Sequence, residues 1–318
     1  MSRPIILALV LLAQAAQPVV ERVRVDADRL LQDVTTLSSE QYEGRLTGSA
    51  GNRRAQEFIA QRFRDLKLPP LKGAYEQTFS YTRRGVAGTG TNLVATIEGS
   101  AERDRFIVIG AHYDHLGLRE GKVYYGADDN ASGVAALLAA AEHFSRHQPR
   151  RSMVFVAFDA EESGLQGAKA FVATPPLDLK RVALMVNMDM VSRGDKNTLF
   201  VAGTAHYPQL KEPVTALARG RSITVEFGHD RPLPGAPPRH DWTNLSDHGP
   251  FHAAGIPFLY FGVEDHPDYH KPTDTADRIP RPFYVEATRF IIETLSALDA
   301  APPAGSGRQG AGVRPPLI

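Results

Sequence analysis

Short, unbroken apolar runs recur along this chain, and most of them stop on acids or a histidine. FIVIGA (106–111) runs into His112 and Asp114, MVFVAF (153–158) into DAEESG, and VALMVNM (182–188) into Asp189. PFLYFG (257–262) is followed by an acidic stretch and then His270. Runs of this length, bounded by turn residues, read as strands buried on both faces. TLFVAG (198–203) is another, and 75–98 alternates loosely, as strands around a glycine turn do.

Helical periodicity fills the intervals. Residues 53–68 set Ala55, Phe58, Ile59, Phe63 and Leu66 on one face before Pro69 and Pro70 stop them. Residues 132–147 align Val134, Leu137, Leu138, Ala141 and Phe144, and 283–298 align Phe290, Ile291, Leu295 and Leu298. The stretch after Gly164 and residues 207–219 also read as helices. Strands alternating with helices predict an α/β fold with a largely parallel sheet. In such sheets ligands bind beyond the carboxyl ends of the strands, where the polar clusters fall. A Pro-rich excursion at 228–245 is long enough to be a flap beside such a site.

A hydrophobic share of 42% supports a sizeable core, and the balance of 36 basic against 36 acidic residues gives no steering towards nucleic acid. There is no cysteine, so stability must come from the core or from bound metal. The chain begins MSRPIILALVLLAQAAQ: one Arg, a short apolar core and a small-x-small site at Ala13-Gln14-Ala15. That predicts a signal peptide over 1–15 and a secreted or periplasmic protein. No later run is long and apolar enough to span a bilayer, so no membrane span is expected after cleavage. Residues 301–318 are Pro/Gly-rich and read as a disordered tail, leaving 16–300 for one folded domain.

Each polar cluster is ambiguous by itself. His112 and Asp114 are two apart at a strand end and face the same way. Asp128 and Asp129, in GADDNASG, suit a helix N-cap. Glu161 and Glu162 repel unless a cation lies between them, in which case one ligates and the other acts as a base. Asp189 lies in an apolar setting where an acid is normally paired or metal-bound. His270 sits in a Pro-flanked turn. Together they give histidines and carboxylates in the order His–Asp–Glu/Glu–Asp–His, without thiolate. That set suits zinc, with manganese or cobalt as substitutes.

The wording of these pieces resembles the secreted co-catalytic dizinc aminopeptidases, the bacterial leucyl aminopeptidase-like enzymes related to glutamate carboxypeptidase and glutaminyl cyclase. AHYDH, GADDNASG, AEESGLQGA, NMDMVS, SDHGPF and DYHKPTDT carry the likeness, with EGRLTGSAGN near its start, over about 40–295. The resemblance implies a single catalytic domain with a mixed, mainly parallel sheet flanked by helices on both faces. It implies two zinc ions: His112 and Asp189 on one, Glu162 and His270 on the other, Asp129 bridging. It also implies a cis peptide after Asp129. Glu161 would be general base and acid, Asp114 would support His112, and Tyr269 would stabilise the tetrahedral intermediate. The implied reaction removes the N-terminal residue from peptides with a free N-terminus.

The same scaffold carries carboxypeptidases or dipeptidases and glutaminyl cyclases, and Arg231 or Arg239 is available for a substrate carboxylate. A non-catalytic binding protein is a further alternative, set aside because all five ligand positions and Glu161 are present. The cyclases use one zinc and dispense with the first histidine, so the pairing of His112 with Asp189 argues for two metals. No Gly-x-Ser-x-Gly elbow is present, which disfavours a serine hydrolase.

Overall fold

A computed structural model describes residues 22–194, 196–235 and 237–300. The expected signal peptide at 1–15 and tail at 301–318 lie outside the described residues. Helices α1 (Ala27–Leu37) and α2 (Ala50–Asp65) come first. Asp26 caps α1 by accepting from the backbone N–H groups of Asp28 and Arg29, and Ser49 caps α2 through Asn52 N–H. Then follow β1 (Glu76–Arg83), β2 (Val86–Ile97), β3 (Glu102–His112) and a small hairpin, β4 (Leu118–Arg119) with β5 (Lys122–Val123). A wide turn over Ala127–Ser132 leads into α3 (Gly133–Arg146).

The second half runs β6 (Arg151–Phe158), α4 (Gln166–Ala173), β7 (Val182–Met188), β8 (Thr198–Ala202), α5 (Lys211–Ala218) and β9 (Thr224–Phe227). It closes with α6 (His248–Ala253), β10 (Phe258–Gly262) and α7 (Arg281–Ala300). The main sheet has eight strands in the order β1-β2-β6-β3-β7-β10-β8-β9. Its centre, β6-β3-β7-β10, is parallel; β2 and β8 join antiparallel on either side. This is the mixed, mainly parallel sheet expected.

Alternation along the central strands feeds two cores. On β6, Met153, Phe155 and Ala157 face the core under α1, α2, α3 and α7. Val154, Val156 and Phe158 face the opposite core, with Phe171 of α4 and Phe251 of α6. A strand buried on both faces therefore shows no polar alternation, which is why it reads as a continuous apolar run. Gly110 of β3 is required by this packing: a Cβ there would lie 2.4 Å from the Phe158 ring and 2.9 Å from Met185 Cε.

Register brings the carboxyl ends level. His112 pairs with Phe158 across β3 and β6, Gly110 with Asn187 across β3 and β7, and Asn187 with Tyr260 across β7 and β10. The polar segments after each strand thus emerge along one edge of the sheet. Among the described residues, no helix is long and apolar enough to cross a membrane.

Candidate metal centre

Two groups of donors meet at that edge and share Asp129. In the first, His112 Nε2 lies 3.2 Å from Asp189 Oδ1 and 3.4 Å from Asp129 Oδ1. In the second, His270 Nε2 lies 3.0 Å from Asp129 Oδ2 and 3.4 Å from Glu162 Oε1. All five sequence-predicted ligand positions are brought together. Glu161 and Tyr269 line the same cavity, about 430 Å³ in volume. The Tyr269 ring stacks on His270, with centroids 3.9 Å apart and planes at 22°.

The first group is held by a chain of hydrogen bonds. His112 Nδ1 donates to the Asp114 carbonyl at 3.2 Å, which orients the ring so that Nε2 faces the acids, where it would be free to ligate a cation. The Asp114 carboxylate stands 3.7 Å from that imidazole. It accepts instead from the backbone N–H groups of Glu161 (3.0 Å) and Glu162 (3.3 Å). Asp114 thus holds His112 through its carbonyl and the turn that presents the two glutamates through its carboxylate. Asp189 Oδ2 accepts from Ser246 Oγ, which in turn accepts from Asn187 Nδ2.

Asp128 and Asp129 part company at the wide turn, where the Asp129–Asn130 peptide is cis, as the resemblance implies. Asp128 turns inward, accepting from Ser132 Oγ, Ser192 Oγ and Ser192 N, with His266 Nε2 at 3.2 Å. Neither acid caps α3. Asp274 holds the turn from behind, accepting from the N–H groups of Asp128 and Asp129 at 3.0 and 3.1 Å. Ala160, Met190 and His270 adopt left-handed φ values of 57°, 59° and 55° beside these groups, a backbone cost that tends to gather at functional sites.

Beneath the site lies Arg45, fully buried. Its guanidinium donates to four carbonyls: Tyr113 (2.8 Å), Leu37 (2.7 Å), Tyr125 (2.8 Å) and Gly126 (2.8 Å). Burial pushes its pKa down to about 10, opposed by the carboxylates of Asp129, Asp274, Asp114 and Glu162. It therefore stays charged at neutral pH under the acidic cluster. Asp159, also buried, accepts from Thr47, Asn52 and Thr91 N–H and ties the first loop to the glutamate turn.

Sequence reasoning missed the parts played by Arg45, Thr47, Asp159 and Asp274. The first two lie in EGRLTGSAGN and Asp274 in DYHKPTDT, so the motif wording was the available signal.

Electrostatics separate the two glutamates. Burial drives the Glu161 carboxyl well above its usual range; His112 opposes this, while Asp189, Glu162 and Asp247 add to it. For Glu162, burial and Asp129 push upward, but the imidazoles of His115 and His270 prevail and hold it down at about 2. The donor set fits a divalent metal. Imidazole nitrogen and carboxylate oxygen converge twice, without thiolate. Both ring nitrogens of His115 and Glu162 Oε1 are buried with no hydrogen-bond partner among the described residues.

The far wall of the cavity comes from the 228–245 excursion, through His229, Arg239, His240 and Trp242. It is well anchored. Asp230 accepts from the N–H groups of Gly203 and Ala205, and the His229 and Trp242 rings stack at 3.7 Å.

A model of the family described as Peptidase family M28 matches residues 92–295. The chain is 34% identical over 158 residues to a probable zinc metalloprotease of Pyrenophora tritici-repentis, covering 45% of this chain and 34% of that protein. It is 31% identical over 206 residues to a probable glutamate carboxypeptidase, VP8, of Zea mays, covering 58% of this chain and 26% of that one. It thus spans about a third or less of the length of these relatives. The structure of BSAP, a zinc aminopeptidase from Bacillus subtilis, superposes with a TM-score of 0.71 over 91% of this chain and 98% of that one. At 17% identity that likeness speaks to the fold alone.

Proposed function

This chain belongs to peptidase family M28, and on that footing we propose that it is a two-zinc aminopeptidase acting on peptides with a free N-terminus. The observation that carries this reading is the sharing of Asp129. One of its oxygens faces His112 and the other faces His270, so one carboxylate serves two donor groups. His112, Asp129 and Asp189 would hold one ion; Asp129, Glu162 and His270 would hold the other. When bound, zinc supplies a Lewis acid that makes water acidic and polarises the scissile carbonyl.

The protein's own groups do the rest. Glu161, with no ligand role and a carboxyl that favours its proton, takes a proton from water and returns it to the departing amine. The Asp114 carboxylate fixes the turn from which both glutamates project. Tyr269, lining the cavity, offers a hydroxyl to the developing oxyanion. Glu264 and Asp265 on the rim are acids suited to a substrate ammonium.

A second reading, a carboxypeptidase, draws on Arg239, which lines the cavity and suits a substrate carboxylate. Aminoacyl-anilides, their N-acetylated copies and C-terminally amidated peptides separate the two. The aminopeptidase reading requires turnover of free-amine substrates, none of acetylated ones, and no loss on amidation. Glu161→Gln should keep its zinc and lose roughly 100-fold or more in kcat. Turnover restricted to N-blocked peptides with a free carboxylate would establish the second reading.

Export accords with the first fifteen residues, and 16–300 would be the catalytic domain. Protein recovered outside the cytoplasm with Ala16 as its first residue would bear this out; an intact Met1 there would refute it.

A further inference from the structure

We propose that His115 is a fourth protein ligand of the second cation, alongside Asp129, Glu162 and His270, so that the two metal positions are chemically unequal. This rests on the two-metal reading above. His115 is completely buried. Its Nδ1 lies 3.0 Å from Glu162 Oε1 and 3.7 Å from Asp129 Oδ2, the same two oxygens that His270 Nε2 approaches from the other side. The two imidazoles flank the acids, with ring centroids 5.9 Å apart.

Hydrogen bonding does not account for this placement. Neither His115 nitrogen makes a hydrogen bond among the described residues, and Glu162 Oε1 accepts none, although Nδ1 stands at ion-pair distance from it. Buried ring nitrogens without a hydrogen bond are costly. A cation among His115, Asp129 and Glu162 would give His115 Nδ1 and Glu162 Oε1 a partner in one step.

The backbone is also shaped to admit this ring. Gly126 has φ +57°, and a Cβ on it would lie 2.5 Å from His115 Cδ2 and 2.6 Å from Cγ. Arg45 then binds the carbonyl of that same glycine, fixing the surface against which the ring rests.

The consequence is a division of labour. With His115 counted, the second position draws four donors from the protein, the number at which zinc sites close. The first draws three, from His112, Asp129 and Asp189, and keeps a coordination place for water. On this count the His115 side would hold its cation the more tightly and the His112 side would exchange first.

The test uses the full chain, freed of metal and reloaded. Zinc titration against a competing chelator should show two equivalents on the wild type. His115→Ala should keep one tight zinc and bind the other on the order of 100-fold or more weakly, beyond the usual effect of losing a group that only supports a ligand. His115→Cys is the second variant, read by spectroscopy. The chain has no cysteine, so the introduced thiol is unique. It replaces the near ring nitrogen, which a short side chain matches in reach. A near-ultraviolet thiolate-to-cobalt charge-transfer band, appearing with one equivalent of cobalt(II) and not the other, is the expected result. Two zincs of wild-type affinity on His115→Ala, with no such band in His115→Cys, would overturn the proposal and leave the two-metal reading intact. A single zinc on the wild type would overturn both.

Discussion

Arg45→Met should destabilise the metal-free protein by about 3–5 kcal/mol. Methionine keeps much of the side chain's length and loses every donor. Four buried carbonyls, from Leu37, Tyr113, Tyr125 and Gly126, would lose their partner together. Hydrogen bonds from a charged donor contribute roughly 1.5–3 kcal/mol each, or roughly 6–12 in all. Against this, the variant no longer has to bury a guanidinium, a relief of several kcal/mol. The net loss is a large part of the 5–15 kcal/mol typical of a domain. Urea unfolding in chelator at pH 7, followed by circular dichroism, measures it. Arg45→Lys, which keeps the charge but has a compact ammonium in place of the planar fork, should recover less than half of the loss. A loss below about 1 kcal/mol for Arg45→Met would refute the reasoning, since the carbonyls would then be satisfied without the arginine.

Gly126→Ala should cost at least ~2 kcal/mol, because its Cβ would lie 2.2 Å from the Asp129 carbonyl oxygen at a left-handed φ. Denaturant midpoints check it, and an unchanged midpoint would contradict the crowding. Asp274→Ala removes the acceptor from the Asp128 and Asp129 N–H groups and should weaken zinc retention roughly 10–100-fold; wild-type affinity by chelator competition would count against it. Burial pushes the His248 imidazole down to about 3, with the Trp242 carbonyl opposing and His252 and His206 assisting. The folded protein therefore refuses a proton that the unfolded chain accepts. This contribution is whole above pH 6.5 and is lost as pH falls from there to about 3, by a few kcal/mol in total. In chelator, His248→Phe should flatten the fall of stability over that window relative to wild type; parallel curves would dispose of the idea.

The central strands were legible because burial on both faces leaves a local mark, an unbroken apolar run, whereas the proposed ligand positions were picked out by the wording of the motifs and not by any local period. The edges left none. β9 is four residues long and half exposed, so the alternation in TVEF is too short to stand out as a strand. α6 is six residues with Pro250 inside, too short to repeat. The N-cap reading of Asp128 and Asp129 gave way because the chain takes a wide turn there, with Asp274 supplying the acceptor that the N–H groups need. Arg45 was unreadable for a different reason. Its acceptors lie between 8 and 81 residues away, and a lone arginine in a glycine-rich loop looks like solvated surface. His115 escapes a reading of the sequence because the groups it meets, Gly126 and Glu162, come beside it only in the folded chain.

The cavity has two walls of different origin. The donors stand on strand ends that the sheet holds in register, whereas His229, Arg239, His240 and Trp242 belong to a single excursion between β9 and α6. On the proposed peptidase reading, an exchanged 228–245 segment, anchored at Asp230 and Trp242, would reshape the far wall of the cavity without itself supplying any of the donor residues. On that reading selectivity would be portable: it could drift, or be transplanted, one loop at a time without the chemistry being rebuilt.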